Sequence, residues 1–329
     1  MFRFERYEDG LEKQWDQFVE EKSINGTFLQ SRRFFNYHPK ERFKDASLVI
    51  YNEKNNIAAL CPACEINQDG KKTFFSHKGS TFGGIMIDRK HYNAKHVVVL
   101  VEELKDYLRE QGYRQAYLKM TSDIFSSVES DLFQYAFQHA GYTEYKELST
   151  YVHYASYKEE ILSNFAQGKR TNVHNCEKEG LILKELTEDS QIAEFYDILC
   201  ENLSKYDTKP VHTLDELLEF KNQRFVDECG FFGVYKEQEM LAGSMMFYFD
   251  KVGCAHTQYL AARQAYNKLS PMTYMYYSMI VEMKKRGYKN ISWGTATEDM
   301  GSFLNMGLIT SKEDFGSSYC NNLTYYIEL

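Results

Sequence analysis

A regular spacing of apolar residues over positions 93–111 predicts a long helix in the first half of the chain. The apolar positions recur every three or four residues, which places them on one face of a helix. They are Val97, Leu100, Val101, Leu104 and Leu108. Gly112 is expected to end this helix, and Tyr113–Met120 has the composition of a strand.

Shorter patterns precede this helix. We expect a helix over Ser31–Phe43 and strands over Leu48–Tyr51, over residues 57–66 and over Thr73–His77. Polar turns separate these strands, and Gln68-Asp69-Gly70 is one of them. A glycine-rich segment then runs over residues 79–88. The first half therefore predicts an antiparallel meander of strands followed by a long helix.

The second half repeats this order at an offset of about 180 residues. A helix from Leu214 ends in Gln223-Arg224-Phe225 as the first ends in Glu41-Arg42-Phe43, and a helix over Pro271–Arg286 is followed by Gly287-Tyr288. Two unrelated α/β domains could share such an order, but the matched punctuation favours duplication of one domain. We predict an α/β (α+β) chain with two tandem domains, 1–150 and 151–329, each a mixed, largely antiparallel sheet flanked by helices. No G-x-G-x-x-G motif follows a strand, which leaves a dinucleotide-binding fold without support.

Charge and cysteine content narrow the function classes. The net charge of −8 argues against a free-standing DNA or RNA binder but leaves room for a local basic groove. No stretch approaches the roughly 18 apolar residues of a membrane span, and the charged residues 1–10 do not resemble a signal peptide. Seven scattered cysteines predict no disulfide framework, and Cys61 and Cys64 fall in a strand pattern, which is not the context of a redox pair. A cytoplasmic, bacterial location is expected.

The segment Gly168–Gly180 carries the strongest local pattern. Thr171 or Asn172 is expected to cap a short helix that Gly180 ends. Its basic residues are Lys169, Arg170 and Lys178, so a phosphate or carboxylate partner is one interpretation and a solvated helix is the other.

Arg170, Asn172, Lys178 and Gly180 form an Arg-x-Asn-x-x-x-x-x-Lys-x-Gly string that resembles the Fem family. Residues 27–39 (TFLQSRRFFNYHP) and a C-terminal Gly-Leu-x-x-x-Lys-x-x-Phe-Gly string, residues 307–316, add to the likeness. The resemblance implies two N-acetyltransferase-like domains. It also implies transfer of amino acids from aminoacyl-tRNA to peptidoglycan precursors, or the acyl transfer of related proteins encoded with polysaccharide biosynthesis.

The resemblance also implies where each substrate binds. The second domain would hold the donor, through residues Arg170, Asn172, Lys178, Arg263, Lys268 and Lys312. The first domain, with Tyr259 of the second, would hold the acceptor through His77, Lys78, Gly83 and Gly84, a loop suited to a nucleotide-sugar diphosphate. Simple N-acetyltransferases grip the CoA pyrophosphate with a glycine-rich turn. The corresponding segment here, 261–271, contains no glycine, and no long helical hairpin is inserted in the second domain.

Amine acylation needs a base and an oxyanion donor rather than a covalent intermediate. His256 is the favoured catalytic base, because an ordinary histidine titrates near neutral pH. Glu298 is the second candidate. Tyr259 would face the opposite side of the strand from His256 unless a bulge intervenes. No metal site is predicted, since no second Cys-x-x-Cys accompanies the first.

Three hypotheses remain open from the sequence. The first is an N-acyltransferase that uses acyl-CoA, such as acetyl-CoA, as co-substrate and acts on an amino group of a cell-envelope sugar or peptide precursor. The second is an aminoacyl-tRNA-dependent transferase acting on a peptidoglycan precursor. The third is a non-catalytic binding protein on the same fold. The expected partners are a small or nucleotide-linked acceptor and, in the second case, aminoacyl-tRNA.

Overall fold

The computed structural model describes residues 1–205 and 207–329 and confirms the predicted fold class. The chain forms two compact units. The first comprises Met1–Leu148, Thr297–Phe303 and Cys320–Leu329, and the second comprises Ser149–Ala296 and Leu304–Tyr319. The C-terminal strand thus belongs to the first unit, whereas a single cut at residue 150 would assign it to the second, because this strand pairs with the strand at Gln115–Lys119.

The elements up to residue 153 are, in chain order, β1 (Arg3–Arg6), α1 (Glu12–Gln17), α2 (Arg32–Phe35), β2 (Lys44–Asp45), β3 (Leu48–Tyr51), β4 (Ile57–Cys61), β5 (Cys64–Gln68), β6 (Lys71–Ser76), β7 (Met86–Ile87), α3 (Ala94–Glu110), β8 (Gln115–Lys119), α4 (Asp131–His139) and β9 (Thr143–His153). The later elements are α5 (Gln167–Lys178), β10 (Leu181–Glu185), α6 (Asp189–Ser204), α7 (Leu214–Glu219), β11 (Cys229–Lys236), β12 (Glu239–Phe249), β13 (Cys254–Ala262), α8 (Pro271–Lys285), β14 (Asn290–Thr295), β15 (Thr297–Glu298), β16 (Phe303–Leu304), α9 (Met306–Glu313) and β17 (Ser318–Glu328).

In the first unit, β17, β8, β6, β5 and β2 lie side by side, and β1, β3, β4 and β7 form a smaller sheet. Helix α3 covers the core with the five predicted apolar residues, all fully buried, which confirms the periodicity argument. In the second unit the strand order is β10-β11-β12-β13-β14-β9, and α8 packs against its core. Neighbouring strands are mostly antiparallel, while β6 with β8 and β13 with β14 pair in parallel.

Two predicted elements differ in the structure, and proline is involved in both. The predicted helix over Ser31–Phe43 is helical only at Arg32–Phe35, because Pro39 disfavours a helical conformation in the residue before it. The predicted strand at 57–66 is two strands that break at Pro62 and join different sheets. Cys61 and Cys64 are free and fully buried, and burial raises the pKa of both thiols.

The glycine-rich segment of the first unit packs tightly on the ends of β6 and β8. The Gly83 amide donates to the Lys119 carbonyl at 2.9 Å, and the Gly84 amide donates to Ser76 Oγ at 2.9 Å. A Cβ on Gly83 would lie 2.5 Å from the carbonyl carbon of Ser76 and 2.6 Å from the His77 nitrogen. The segment therefore requires glycine at position 83 for close approach of two backbones.

Among the residues that the structure describes, no helix has the length and apolar character needed to cross a bilayer.

Gly83→Ala is expected to lower the free energy of unfolding by about 1–3 kcal/mol, because the added methyl group meets backbone atoms that cannot move aside independently. Urea denaturation measures the change. Gly10→Ala is the matched control, since a Cβ there meets no atom within 4 Å, and its change should stay within about 0.5 kcal/mol. Equal effects at the two positions would contradict the packing argument.

Candidate functional site

Two parallel strands of the second unit part in the middle of the sheet. Strands β13 and β14 pair only through Cys254–His256 and Asn290–Ser292. Beyond these residues β13 follows β12 as far as Ala262, and β14 follows β9 as far as Thr295. Each strand carries a register shift just past the parting, at Gln258 in β13 and at Trp293 in β14. Such bulges bend strands and redirect side chains, so they open a gap between β13 and β14.

His256 and Ser292 lie at the point where the strands separate. The half-buried His256 ring is hydrogen-bonded through Nδ1 to Ser292 Oγ at 3.1 Å, and the Gly294 amide donates to the same hydroxyl at 3.3 Å. Gly294 has φ +71°, and a Cβ on it would sit 3.4 Å from His256 Cε1. Glycine therefore gives the strand its left-handed turn beside the imidazole.

Lys312 brings a buried ammonium group to this place. It lies in the last turn of α9, is 3% exposed, and donates to the carbonyls of Gly294 at 3.1 Å and Thr295 at 2.9 Å. An ammonium group has three N–H donors, and among the described residues only these two are used. Burial lowers the pKa of Lys312 to about 8, so the group remains mostly protonated at pH 7.

His256 is a weaker base than its sequence context suggested. Burial, and then the nearby Lys312 charge, lower its pKa to about 4, whereas the prediction assumed titration near neutrality. The imidazole is therefore neutral at pH 7 and still accepts hydrogen bonds. Its low basicity suits a group that positions the reactants better than one that holds a proton.

Tyr259 lies on the same face of β13 as His256. The register pairs His256 with Phe247 and Tyr259 with Met245, two residues apart on β12, so the bulge at Gln258 restores a shared face. The Tyr259 hydroxyl is hydrogen-bonded to Nδ1 of the buried His212 at 2.6 Å, and burial raises its pKa to about 12. This contact fixes the loop before α7 onto β13. It was not predicted, because His212 and Tyr259 are 47 residues apart.

The basic helix α5 begins earlier than predicted. Ala166 is its N-cap, so Thr171 and Asn172 lie inside the helix, while Gly180 with φ +76° ends it as expected. Arg170 and Asn172 are two residues apart and therefore point to opposite flanks of the helix. Lys178 is exposed at its end. The four residues of the string consequently do not converge on one ligand group.

The segment at the place of the CoA-binding turn has little free positive charge. Arg263 Nε donates to the Met240 carbonyl at 2.9 Å, and its guanidinium lies 3.4 Å from Glu194 and 3.9 Å from Glu201. Arg263 therefore holds the fold together. Lys268 is exposed in a short 3₁₀ turn over Gln264–Leu269.

Glu298, the second candidate base, is exposed on β15 within the segment Thr297–Phe303 of the first unit. It does not share the buried setting of His256, and it makes no side-chain cap for the 3₁₀ turn that follows it. The structure gives it no feature of a catalytic base.

The first unit contains a cavity of about 430 Å³ that includes one predicted acceptor residue, His77. Its lining residues are Asp9, Glu12, Arg32, Phe35, Asn36, His38, Pro39, Lys40, Phe43, Asp45 and His77. The other predicted acceptor residues are elsewhere. Lys78 is exposed over the Phe75 ring, and the amides of Gly83 and Gly84 are engaged within the fold, so they cannot cradle a phosphate.

Sequence reasoning missed Arg32 and Asp45 in this cavity. The Arg32 guanidinium is buried over the rings of Tyr7 and Trp15, at 3.3 and 4.2 Å from their centroids, and pairs with Asp45. Adjacent arginines in residues 27–39 were the available indication, but the sequence does not show which of them turns inward.

No group of three or more histidine, cysteine, aspartate or glutamate side chains suited to a metal ion occurs in residues 1–205 and 207–329.

The low pKa of His256 predicts acid sensitivity. Between about pH 6.5 and 4 the unfolded chain binds a proton at this position that the folded chain does not, so stability falls as pH falls. At pH 5 this histidine should cost about 2 kcal/mol of unfolding free energy relative to pH 7. We expect His256→Gln to show a smaller drop than the wild type by that amount in urea denaturation. His139→Gln, an exposed control, should behave as the wild type; an unchanged drop in His256→Gln would refute the assignment.

Solved structures with this fold include acyl- and aminoacyl transfer proteins. FemX matches with a TM-score of 0.69 and 11% identity over 99% of this chain and 97% of its own. L-PGS from Bacillus licheniformis matches with a TM-score of 0.63 and 13% identity over 98% and 92%. A tandem GNAT protein from the clavulanic acid biosynthesis pathway matches with a TM-score of 0.55 and 8% identity over 100% and 98%. At these identities the likeness establishes the tandem N-acetyltransferase-like fold.

No curated protein sequence matches the chain. The model of the FemAB family matches residues 11–209, well over half of its length. The match includes the Arg170–Gly180 string and the aromatic segment at 27–39 on which the resemblance was first based. The chain therefore belongs to the FemAB family and is an enzyme that transfers acyl or aminoacyl groups.

Proposed function

We propose that this enzyme moves an aminoacyl group from an aminoacyl-tRNA to an amino group of a peptidoglycan precursor. The observation that carries the proposal is the buried Lys312 ammonium between the parted strands, within the C-terminal string that resembles the Fem family. The acyl-CoA hypothesis, the first from the sequence, has less support. The segment 261–271 contains no glycine, and the charge of Arg263 is compensated by Glu194 and Glu201.

The reaction requires one bond to form and one to break. The acceptor amine attacks the ester carbonyl of the aminoacyl group, and the new C–N bond gives a tetrahedral oxyanion. The C–O bond to the terminal ribose then breaks, and the proton lost by the amine ends on the ribose oxygen. The enzyme must hold both substrates in register and stabilise negative charge on oxygen.

Lys312 has the properties for the electrostatic part. Two of its N–H groups are anchored on the Gly294 and Thr295 carbonyls, which fixes the direction of the third. A fixed cation in a site with little water stabilises an oxyanion or a departing alkoxide far more than the same charge does in bulk water. Because it is protonated at neutral pH, it also has a proton to give to the ribose oxygen.

His256 and Ser292 form the neutral wall of the same site. An uncharged imidazole beside Lys312 leaves the ammonium as the dominant charge, and it offers an acceptor to the incoming amine. We assign donor binding to the second unit, with Lys312 at its centre and Lys268 and Lys178 as exposed cations for the tRNA backbone. The cavity of the first unit is assigned to the acceptor.

A transfer assay with purified protein tests the donor. Aminoacyl-tRNA carrying a radiolabelled amino acid and [¹⁴C]acetyl-CoA are supplied separately, each with a nucleotide-linked peptidoglycan precursor. We expect label on the precursor from aminoacyl-tRNA alone. Transfer from acetyl-CoA without transfer from aminoacyl-tRNA would establish the acyl-CoA hypothesis instead, and no transfer from either would contradict the proposal.

Lys312→Met is expected to lower kcat by about 10²–10³-fold with a smaller change in KM, because the lost interaction forms mainly in the transition state. In the wild type, kcat should fall as pH rises through about 8, where the ammonium loses its proton. Lys285→Met on the exposed end of α8 is the matched control and should retain full activity. A Lys312→Met variant that folds and transfers at the wild-type rate would remove this residue from the mechanism.

A further inference from the structure

The cavity of the first unit has one fixed hydrogen-bond donor, His77. Its Nδ1 accepts the Gly79 amide proton at 3.1 Å, so the neutral ring carries its proton on Nε2. That nitrogen has no partner within the described residues and is not among the buried atoms without one, so it opens on the cavity that the ring lines. The side chain is 5% exposed, and burial lowers its pKa to about 3, which keeps it uncharged.

The charges around this donor are predominantly acidic. Asp45, whose side chain is 45% exposed, lines the cavity together with Asp9 and Glu12. Burial alone would raise the pKa of Asp45, but Arg32 and hydrogen bonds from Ser47 hold it below its usual value, so it accepts hydrogen bonds as a carboxylate. Arg32 is sandwiched against aromatic rings and paired with Asp45, which leaves Lys40 as the uncompensated cation of the lining. This environment repels a phosphate.

Aromatic rings complete the cavity. The His77 ring stacks on Phe35 at 4.2 Å and meets the edge of Phe43 at 5.2 Å between centroids. These contacts hold the imidazole in one orientation, so its N–H direction is set before any ligand arrives. A preorganised donor and acceptor beside flat apolar walls favour a small planar polar group.

We propose that this cavity recognises an uncharged –NH–C(=O)– group of the acceptor, whose carbonyl accepts from His77 and whose N–H donates to Asp45. The inference rests on the proposed function, since it specifies a feature of the acceptor. It replaces the diphosphate that the sequence suggested for this loop. An acetamido group on a sugar and the imide edge of a pyrimidine both present this chemistry.

Ligand-observed NMR with the full-length protein distinguishes the two sources. N-acetylglucosamine is compared with glucosamine, which lacks the amide, and uridine with 3-methyluridine, which lacks the imide N–H. Inorganic pyrophosphate is the phosphate probe. We expect one amide-bearing probe to bind, its partner without the group to bind at least about 10-fold more weakly, and pyrophosphate not to compete.

His77→Phe keeps the stacked ring and removes the N–H, and it should weaken the bound probe about 10-fold. His77→Gln, which retains an N–H donor, should lose less. His139→Phe makes the same exchange at an exposed position and should bind as the wild type, and the melting temperature of each variant reports its folding. Unchanged binding by folded His77→Phe, no binding of either amide probe to the wild type, or His77-dependent binding of pyrophosphate would each overturn the inference.

The transfer assay separates this result from the proposed function. If aminoacyl transfer proceeds and the amide probes do not inhibit it, the inference is wrong and the proposed function stands. If an amide probe binds through His77 but no transfer occurs from aminoacyl-tRNA, the proposed function is wrong and the binding site stands.

Discussion

The burial of the Lys312 ammonium is the constraint on which the second unit depends. Removing a cation from water costs several kcal/mol unless polar groups replace the lost hydration. The carbonyls of Gly294 and Thr295 do so, and they are available because β14 is bulged at Trp293 and turns through a left-handed glycine. The other end of the same helix is fixed as tightly. Tyr157 donates to the Phe315 carbonyl, and a Cβ on Gly316 would lie 2.8 Å from the Asn164 carbonyl.

One charge then sets the protonation of its neighbourhood. Lys312 and burial together keep His256 neutral, so the site holds one cation against uncharged polar walls. The first unit reaches a neutral imidazole by burial against aromatic rings, with Asp45 and Arg32 largely compensating each other. Both histidines were chosen from the sequence for proton transfer or anion binding near neutrality. In both places the loss of hydration outweighs the ordinary histidine pKa.

The sequence predicts the regular elements well and the irregular ones poorly. Helices α3 and α8 were located because apolar spacing and flanking glycines are local properties. The family strings pointed to Lys312, although not to its burial. The bulges at Gln258 and Trp293 have no sequence signature, because they depend on the pairing of strands distant in the chain. The neutralisation of Arg263 by Glu194 and Glu201 and the inward turn of Arg32 are likewise contacts of the folded chain.

The parallel strand pairs explain how two similar units come to differ in chemistry. In the first unit β6 and β8 pair as β13 and β14 do in the second. Past their ends, however, the amides of Gly83, Gly84 and Lys119 are tied to Ser76 Oγ and to backbone, so the chain itself fills the space where the strands would part. In the second unit two bulges keep that space open, and Lys312 supplies its charge. A filled gap provides no oxyanion site, and the open one does. Catalysis in the second unit and binding in the first therefore follow from one local difference, the presence or absence of a glycine-packed loop between parallel strands.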